Sequence, residues 1–300
     1  MTASRTTTRV ATLATCLLAA AALTSTGCGK RHKMIQNKGS DTIVNLAQAL
    51  AEEYHKVNPK VSIAVSGGGS GVGIAALENG QVDIANASRE MKAEEAELAK
   101  KRTGKDPVRH TIAIDALAVY LHPSNPLQKI TKDQLACIYG EGGTCNKWTD
   151  LGVEVPGCAG QEIVRVSRQN NSGTYAYFRE WAIGEKKDFK LGSRDMQGSN
   201  DVVDLVTNTP CAIGYSGLGY MTSGVKAACV SKADEPCVSP SEATAIDGTY
   251  PISRGLYMYT LGEATGDVKA YLEWILSDAG QAIVAKSGYA PVPADKRGKG

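Results

Sequence analysis

Phenylalanine occurs only twice in the 300 residues and histidine four times, and aromatic residues make up 6% of the chain. The four histidines, His32, His55, His110 and His122, stand away from the glycine-rich segments described below. A serine hydrolase therefore lacks its base there, and a metal phosphatase lacks its ligands. Past residue 30, no stretch carries the roughly 18 to 20 apolar residues that a membrane-crossing helix needs. Charge of one sign is missing too. With Arg5 and Arg9 set aside as part of a leader, the 33 basic residues less two leave 31, against 31 acidic ones. That balance argues against nucleic acid, which demands a basic stripe. An anion would have to be held by local geometry, not by bulk charge. No CxxC pair occurs and no histidine stands near the six cysteines beyond residue 130, which argues against a zinc site, and no metal is expected.

Glycine, at 32 residues, is plentiful, and the chain is 42% hydrophobic and 21% charged, which are ordinary globular values. The first segment reads as an export signal. Arg5 and Arg9 form a basic start, Val10 to Leu23 an apolar stretch, and Ser25, Thr26 and Gly27 lead into Cys28. Small residues before a cysteine resemble a lipoprotein signal, with Ser25 where leucine is usual. Residues 1–27 are expected to be a leader, Cys28 the lipid anchor on a cell-envelope membrane, and residues 28–33 a linker. Cysteine usage fits an oxidising compartment. Cys137, Cys145, Cys158, Cys211, Cys229 and Cys237 remain, an even set suited to disulfides. Short loops favour Cys137–Cys145 and Cys229–Cys237, leaving Cys158 with Cys211. Six cysteines nonetheless allow 15 connectivities, and sequence does not choose among them.

One local pattern appears three times: a strand-like run, a cluster of small polar residues, then an amphipathic helix. Met34 to Asn37 leads through Gly39-Ser40-Asp41-Thr42 into Ile43 to Tyr54. Val61 to Val65 leads through Ser66 to Gly71 into Val72 to Glu78, and Ile163 to Val166 leads through Ser167 to Thr174 into Tyr175 to Ile183. Strands alternating with helices predict an α/β fold with largely parallel sheets. Two long extended runs, His110 to His122 and Tyr250 to Thr260, bracket the middle of the chain. They fit a chain that crosses twice between two α/β lobes. The first lobe is expected to comprise residues 34–116 with 253–296, and the second residues 117–252.

Each helix start presents unpaired N–H groups and a partial positive charge, so it suits an anion. Ser, Thr and Asp are also ordinary helix caps, and a single such start carries little weight. Three in one chain, two of them glycine-flanked, point to a shared anion pocket. A P-loop is excluded, because Ile74 and Ala75 stand where Lys and Ser/Thr belong. A GxSxG elbow is excluded at Ser70 and Ser216, since Val72 and Leu218 replace the last glycine.

GSDT (39–42), SGGGSGVGI (66–74), VDIANASR (82–89), SRQNNSGT (167–174), AIGYSGLGY (212–220) and YPISR (250–254) occur in this order. Together, over residues 35 to 293, they resemble the substrate-binding protein of the bacterial high-affinity phosphate transporter. The resemblance implies a type II periplasmic-binding fold with inorganic phosphate in the cleft between two lobes, delivered to an ATP-driven membrane permease. It implies no catalysis and no cofactor, and the expected state is a monomer. By the resemblance, Ser40, Asp41 (through its N–H) and Thr42 hold phosphate from the first helix start, and Ser70 and Gly71 from the second. Ser172, Gly173 and Thr174 close from the other lobe, and Arg168 is the cleft arginine. Asp83 is assigned as the acceptor of the proton that phosphate carries and sulfate lacks; the competing reading is a surface turn. Arg89 is expected to brace the cleft by pairing with an acid. Asn170 departs from the family, which often has an acid two places after the cleft arginine. The segment from Gly142 to Cys145 reads as a surface loop pinned by a disulfide. Another oxyanion, such as arsenate or sulfate, is one competing ligand class, and an exported phosphatase is a competing function of a different kind.

Overall fold

The computed structural model describes residues 33–298 apart from residue 234, so the expected leader, Cys28 and nearly all of the linker lie outside the described residues. β-Branched and alanine-rich runs form strands, and segments with apolar residues at helical spacing form helices, in near-regular alternation. In chain order the elements begin with β1 (Lys33–Gly39), α1 (Val44–Val57), β2 (Val61–Ser66), α2 (Ser70–Glu78), β3 (Ile84–Ala87), α3 (Ala93–Thr103) and the long β4 (Pro107–Leu121). The middle of the chain supplies β5 (Lys129–Thr131), α4 (Lys132–Tyr139), β6 (Val164–Arg168), α5 (Gly173–Ile183), β7 (Arg194–Met196), α6 (Ser199–Thr207), β8 (Ala212–Gly217), β9 (Lys226–Ser231) and α7 (Glu242–Ile246). β10 (Ser253–Leu261), α8 (Gly266–Ile275) and α9 (Asp278–Lys286) complete it.

The strands follow the order β2-β1-β3-β10-β4-β8-β6-β7, with β9 beside β4 and β5 beside β9. β4 belongs to both ends of this sheet. Its residues 107–116 pair with β10, with Ser253 opposite Ala116, and from Leu117 onward it pairs with β8 and β9. The change of partner between Ala116 and Leu117 divides the strands into a first half, β2-β1-β3-β10, and a second half, β8-β6-β7 with β9 and β5. Within them β1 runs parallel to β3, and β6 runs parallel to both β8 and β7.

Side-chain alternation sets the layers. Along β10, Leu256 and Met258 join a core with Leu46, Leu50 and Tyr54 of α1 and with Tyr271, Leu272 and Ile275 of α8. Tyr257 and Tyr259 face the other way, against Ile74 and Leu77 of α2. In the second half, Leu117, Val119 and Leu121 meet Leu135 and Ile138 of α4 and Phe178 of α5. Ala118 and Tyr120 point to the opposite face, where Val202, Val203 and Val206 of α6 lie in the same cluster. Both faces are thus covered, which explains why these strands read as apolar runs. The disulfides are Cys137–Cys145, Cys158–Cys211 and Cys229–Cys237, so the short-loop pairings are the ones that form.

Candidate functional site

In a parallel α/β unit the helix N-terminus begins where the strand's carboxyl end stops, so polar groups collect at that end. α1 follows β1, α2 follows β2 and α5 follows β6 in this way. The three starts come together at the seam where β4 changes partners. Thr42 Oγ1 lies 2.7 Å from Thr174 Oγ1, across the two halves. Ser40 Oγ donates to Ser88 Oγ at 2.8 Å, and Ser70 Oγ is 3.3 Å from the same atom. Ser88 Oγ is 3.5 Å from Thr174 Oγ1, and all five of these residues are buried. A hydroxyl can donate or accept, so this cluster can turn its protons toward an anion.

Two buried arginines flank the hydroxyls. Arg254, the second residue of β10, pairs with Asp115 of β4: Nε and Nη2 donate to Asp115 Oδ2 at 3.1 and 2.8 Å. The two side chains are 2% and 0% exposed. Arg254 reaches further, donating Nη1 to the Ser88 carbonyl at 2.9 Å and Nη2 to Thr174 Oγ1 at 3.0 Å. Asp115 Oδ1 accepts the Leu218 N–H at 3.1 Å. Arg168, at the end of β6, donates Nε to the Met196 carbonyl, Nη1 to Ser199 Oγ at 2.9 Å and Nη2 to the Gln197 carbonyl at 2.6 Å. Its Nη2 also lies 3.3 Å from Asp41 Oδ2, in the other half. Burial pushes the Arg168 guanidinium below its usual value, and Asp41 acts against that shift. Asn170 is exposed, so Asp41 and not residue 170 supplies the carboxylate beside Arg168.

Backbone contacts complete the seam. Gly71 donates its N–H to the Asn171 carbonyl at 2.9 Å, and Asn171 Nδ2 donates to the Gly68 carbonyl at 3.0 Å. A Cβ on Gly69, which sits at φ +93°, would lie 2.7 Å from the Asn171 oxygen. Glycine here lets the two halves touch.

Of the residues singled out from sequence, Ser40, Thr42, Ser70 and Thr174 converge through their hydroxyls, and Gly173 backs onto Ser70 Oγ and Ser88 Oγ. Ser172 instead caps α5, its Oγ accepting the N–H groups of Thr174 and Tyr175, and the Gly71 N–H is committed to Asn171. Asp83 stands apart from this cluster. It is exposed at the amino end of β3, where its Oδ2 accepts the Gln36 N–H at 2.8 Å, whereas the cluster gathers at the carboxyl end beside Ser88. Five residues of extended chain separate the two, about 16 Å. Arg89 lies outside the cluster and forms a two-pronged pair with Glu95, at 2.7 and 2.6 Å. Glu95 is half-buried; burial alone would raise its carboxyl, but the Arg89 bonds and charge bring it below the usual range.

Ser88, Asp115 and Arg254 were not assigned to the site from sequence. A signal existed: Asp115 is the one acid in HTIAIDALAVYLH, and an acid inside a buried strand needs a cation partner. Hydroxyls, helix N-termini and two guanidiniums in a buried setting form a donor set suited to a small tetrahedral anion. Among the described residues, no three His, Cys, Asp or Glu side chains cluster as metal ligands, and no helix is long and apolar enough to cross a membrane.

Comparison with known proteins agrees with this geometry. A family model described as a PBP superfamily domain matches residues 5–279. The phosphate-binding protein PstS of Pseudomonas aeruginosa is 35% identical over 271 residues, covering 87% of this chain and 83% of that one. Among solved structures, a candidate phosphate ABC transporter substrate-binding protein of Clostridium perfringens, with bound phosphate, superposes with a TM-score of 0.77 at 29% identity. That match covers 87% of this chain and all of the other. An ABC-type phosphate transport receptor of Vibrio cholerae gives a TM-score of 0.68 at 26% identity, over 86% of this chain and 100% of that one. The strand arrangement is accordingly that of the type II periplasmic-binding fold. The chain belongs to the PBP superfamily and, within it, to the family of PstS phosphate-binding proteins.

Proposed function

We propose that this protein binds inorganic phosphate between two lobes and delivers it to an ATP-driven phosphate permease, as a carrier without a catalytic step. The observation that carries the reading is the convergence of five buried hydroxyls: Ser40, Thr42, Ser70 and Thr174 from three helix starts, and Ser88 from just past the end of β3. In this reading the two sheet halves act as the lobes, residues 34–116 with 253–296 and residues 117–252, hinged where β4 and the segment leading into β10 pass between them. The hydroxyls and the backbone N–H groups of Asp41, Ser70 and Gly173 contact the phosphate oxygens. Arg168 and Arg254 supply the positive charge. A buried donor-rich pocket of this kind strengthens each hydrogen bond to an anion, because little solvent screens it. The chain is exported, anchored through a lipid on Cys28, and acts as a monomer.

The test is calorimetric titration of residues 29–300 with phosphate, after unfolding and refolding to remove any anion carried through purification. One-to-one binding of phosphate supports the proposal. A correctly folded protein that gives no heat with phosphate overturns it.

A further inference from the structure

Asp41 serves both sides of the cleft at once. Its Oδ1 accepts the Gly68 N–H at 2.8 Å, from its own lobe. Its Oδ2 lies 3.3 Å from Arg168 Nη2, and its carbonyl accepts the Tyr220 hydroxyl at 2.6 Å, both from the other lobe. The Asp41 side chain is 14% exposed and that of Arg168 0%. The other bonds of Arg168 go to Met196, Gln197 and Ser199, all in its own lobe, and all to uncharged oxygens. Among the described residues, the only opposite charge bonded to this buried guanidinium therefore arrives from across the cleft. Parting the lobes by a few ångströms removes it and wets the gap, and attraction between the two charges falls steeply as water enters.

We propose that Asp41 is a positioning residue: a clasp whose carboxylate locks Arg168 in place only when the lobes close, holding the closed form together. This rests on the phosphate-binding reading for its ligand, but not for its geometry. The clasp acts whenever the lobes are closed, with or without ligand. It slows release, and it does not speed capture, because a carboxylate does not attract an anion.

Asp41→Asn keeps an oxygen for the Gly68 N–H and removes the charge facing Arg168, so it separates the clasp from simple support of the 66–69 loop. Stopped-flow phosphate release from Asp41→Asn should be faster by about tenfold to a hundredfold, the loss of one charge-assisted bond, with the association rate not lowered. Small-angle scattering of the ligand-free protein reads the clasp without reference to any ligand. There, Asp41→Asn should show a larger radius of gyration than the native protein at equal disulfide content and helicity. A wild-type protein that fails to bind phosphate sinks the ligand assignment, while the scattering result still decides the clasp. If Asp41→Asn releases phosphate at the native rate, or keeps the native radius while Asp41→Ala alone expands, Asp41 only caps a loop and the clasp is wrong.

Discussion

Replacing Arg254 by methionine is the most demanding perturbation of the seam. The native guanidinium makes two bonds to Asp115 Oδ2, one to the Ser88 carbonyl and one to Thr174 Oγ1, with both members of the ion pair essentially sealed from solvent. Methionine fills much of the arginine stem but leaves Asp115 with the Leu218 N–H alone. A buried carboxylate stripped of its partner costs about 3–5 kcal/mol. Against a total stability of about 5–15 kcal/mol that is a large fraction. With a urea dependence of about 3 kcal/mol per molar, the unfolding midpoint drops by about 1–1.7 M. Adding Asp115→Leu removes the stranded charge, so the double variant should regain most of the lost stability. Phosphate affinity behaves differently: it should fall at least tenfold in the single variant and stay low in the double, since neither carries the guanidinium beside Thr174. Urea unfolding followed by circular dichroism, and calorimetry on the same samples, give both numbers. A single variant within about 1 kcal/mol of the native protein, or a double variant no more stable than the single, would falsify this account of the pair.

Gly69→Ala introduces a methyl against the Asn171 carbonyl at a backbone angle that costs a side chain about 1–3 kcal/mol, so phosphate affinity should fall at least tenfold. Gly68→Ala, also at positive φ but facing only Val72 at 3.6 Å, should lose stability and keep its affinity; equal affinity losses in calorimetry would show that contact across the cleft is irrelevant. Asp83→Asn should leave phosphate affinity and the response to sulfate unchanged, because its carboxylate caps Gln36 at the far end of β3. A tenfold change in either titration would return Asp83 to the site. His110, whose Nε2 lies 3.0 Å from Thr260 Oγ1, has its imidazole pushed below the ordinary value of 6.5 by burial, against a smaller opposing pull from Glu263. The unfolded chain takes up that proton first, so stability is complete above pH 6.5 and declines as pH falls below it. His110→Gln should flatten that part of a thermal-melting profile, and an unchanged slope would assign it to other groups.

Features written in local sequence were legible. The three turn-to-helix starts are found within three residues of where capping and periodicity put them, because small polar residues before an apolar face bias the backbone directly. Loop length favoured the two short disulfides for the same local reason, without choosing among the possible connectivities. Asp83 lies apart from the hydroxyl cluster, and its motif could not say so, because a motif does not say which end of a strand faces a ligand. The topology says it: ligand groups gather at carboxyl ends, which is where Ser88 stands and Asp83 does not. Arg254 and Asp115 are 139 residues apart and meet only through the antiparallel register of β10 on β4. Nothing local encodes that register. Asp41 carried a plausible local role as a donor through its N–H, and the partner that redefines it, Arg168, is 127 residues away.

The position of β10 bears on how the chain assembles. β10 lies between β3 and β4, pairing with each, so β3 and the first part of β4 stay apart until a strand made well after both is inserted. The second half is one continuous stretch and holds all three disulfides. As the chain emerges from its amino end, residues 117–252 can close their own sheet against β4 while β1, β2 and β3 wait. The first-made segment is then the last to become stable, and it waits with two unpaired strand edges open to aggregation. Slow, aggregation-prone refolding of the first half, with the second half already formed, is the kinetic consequence of threading one late strand into the centre of an early sheet.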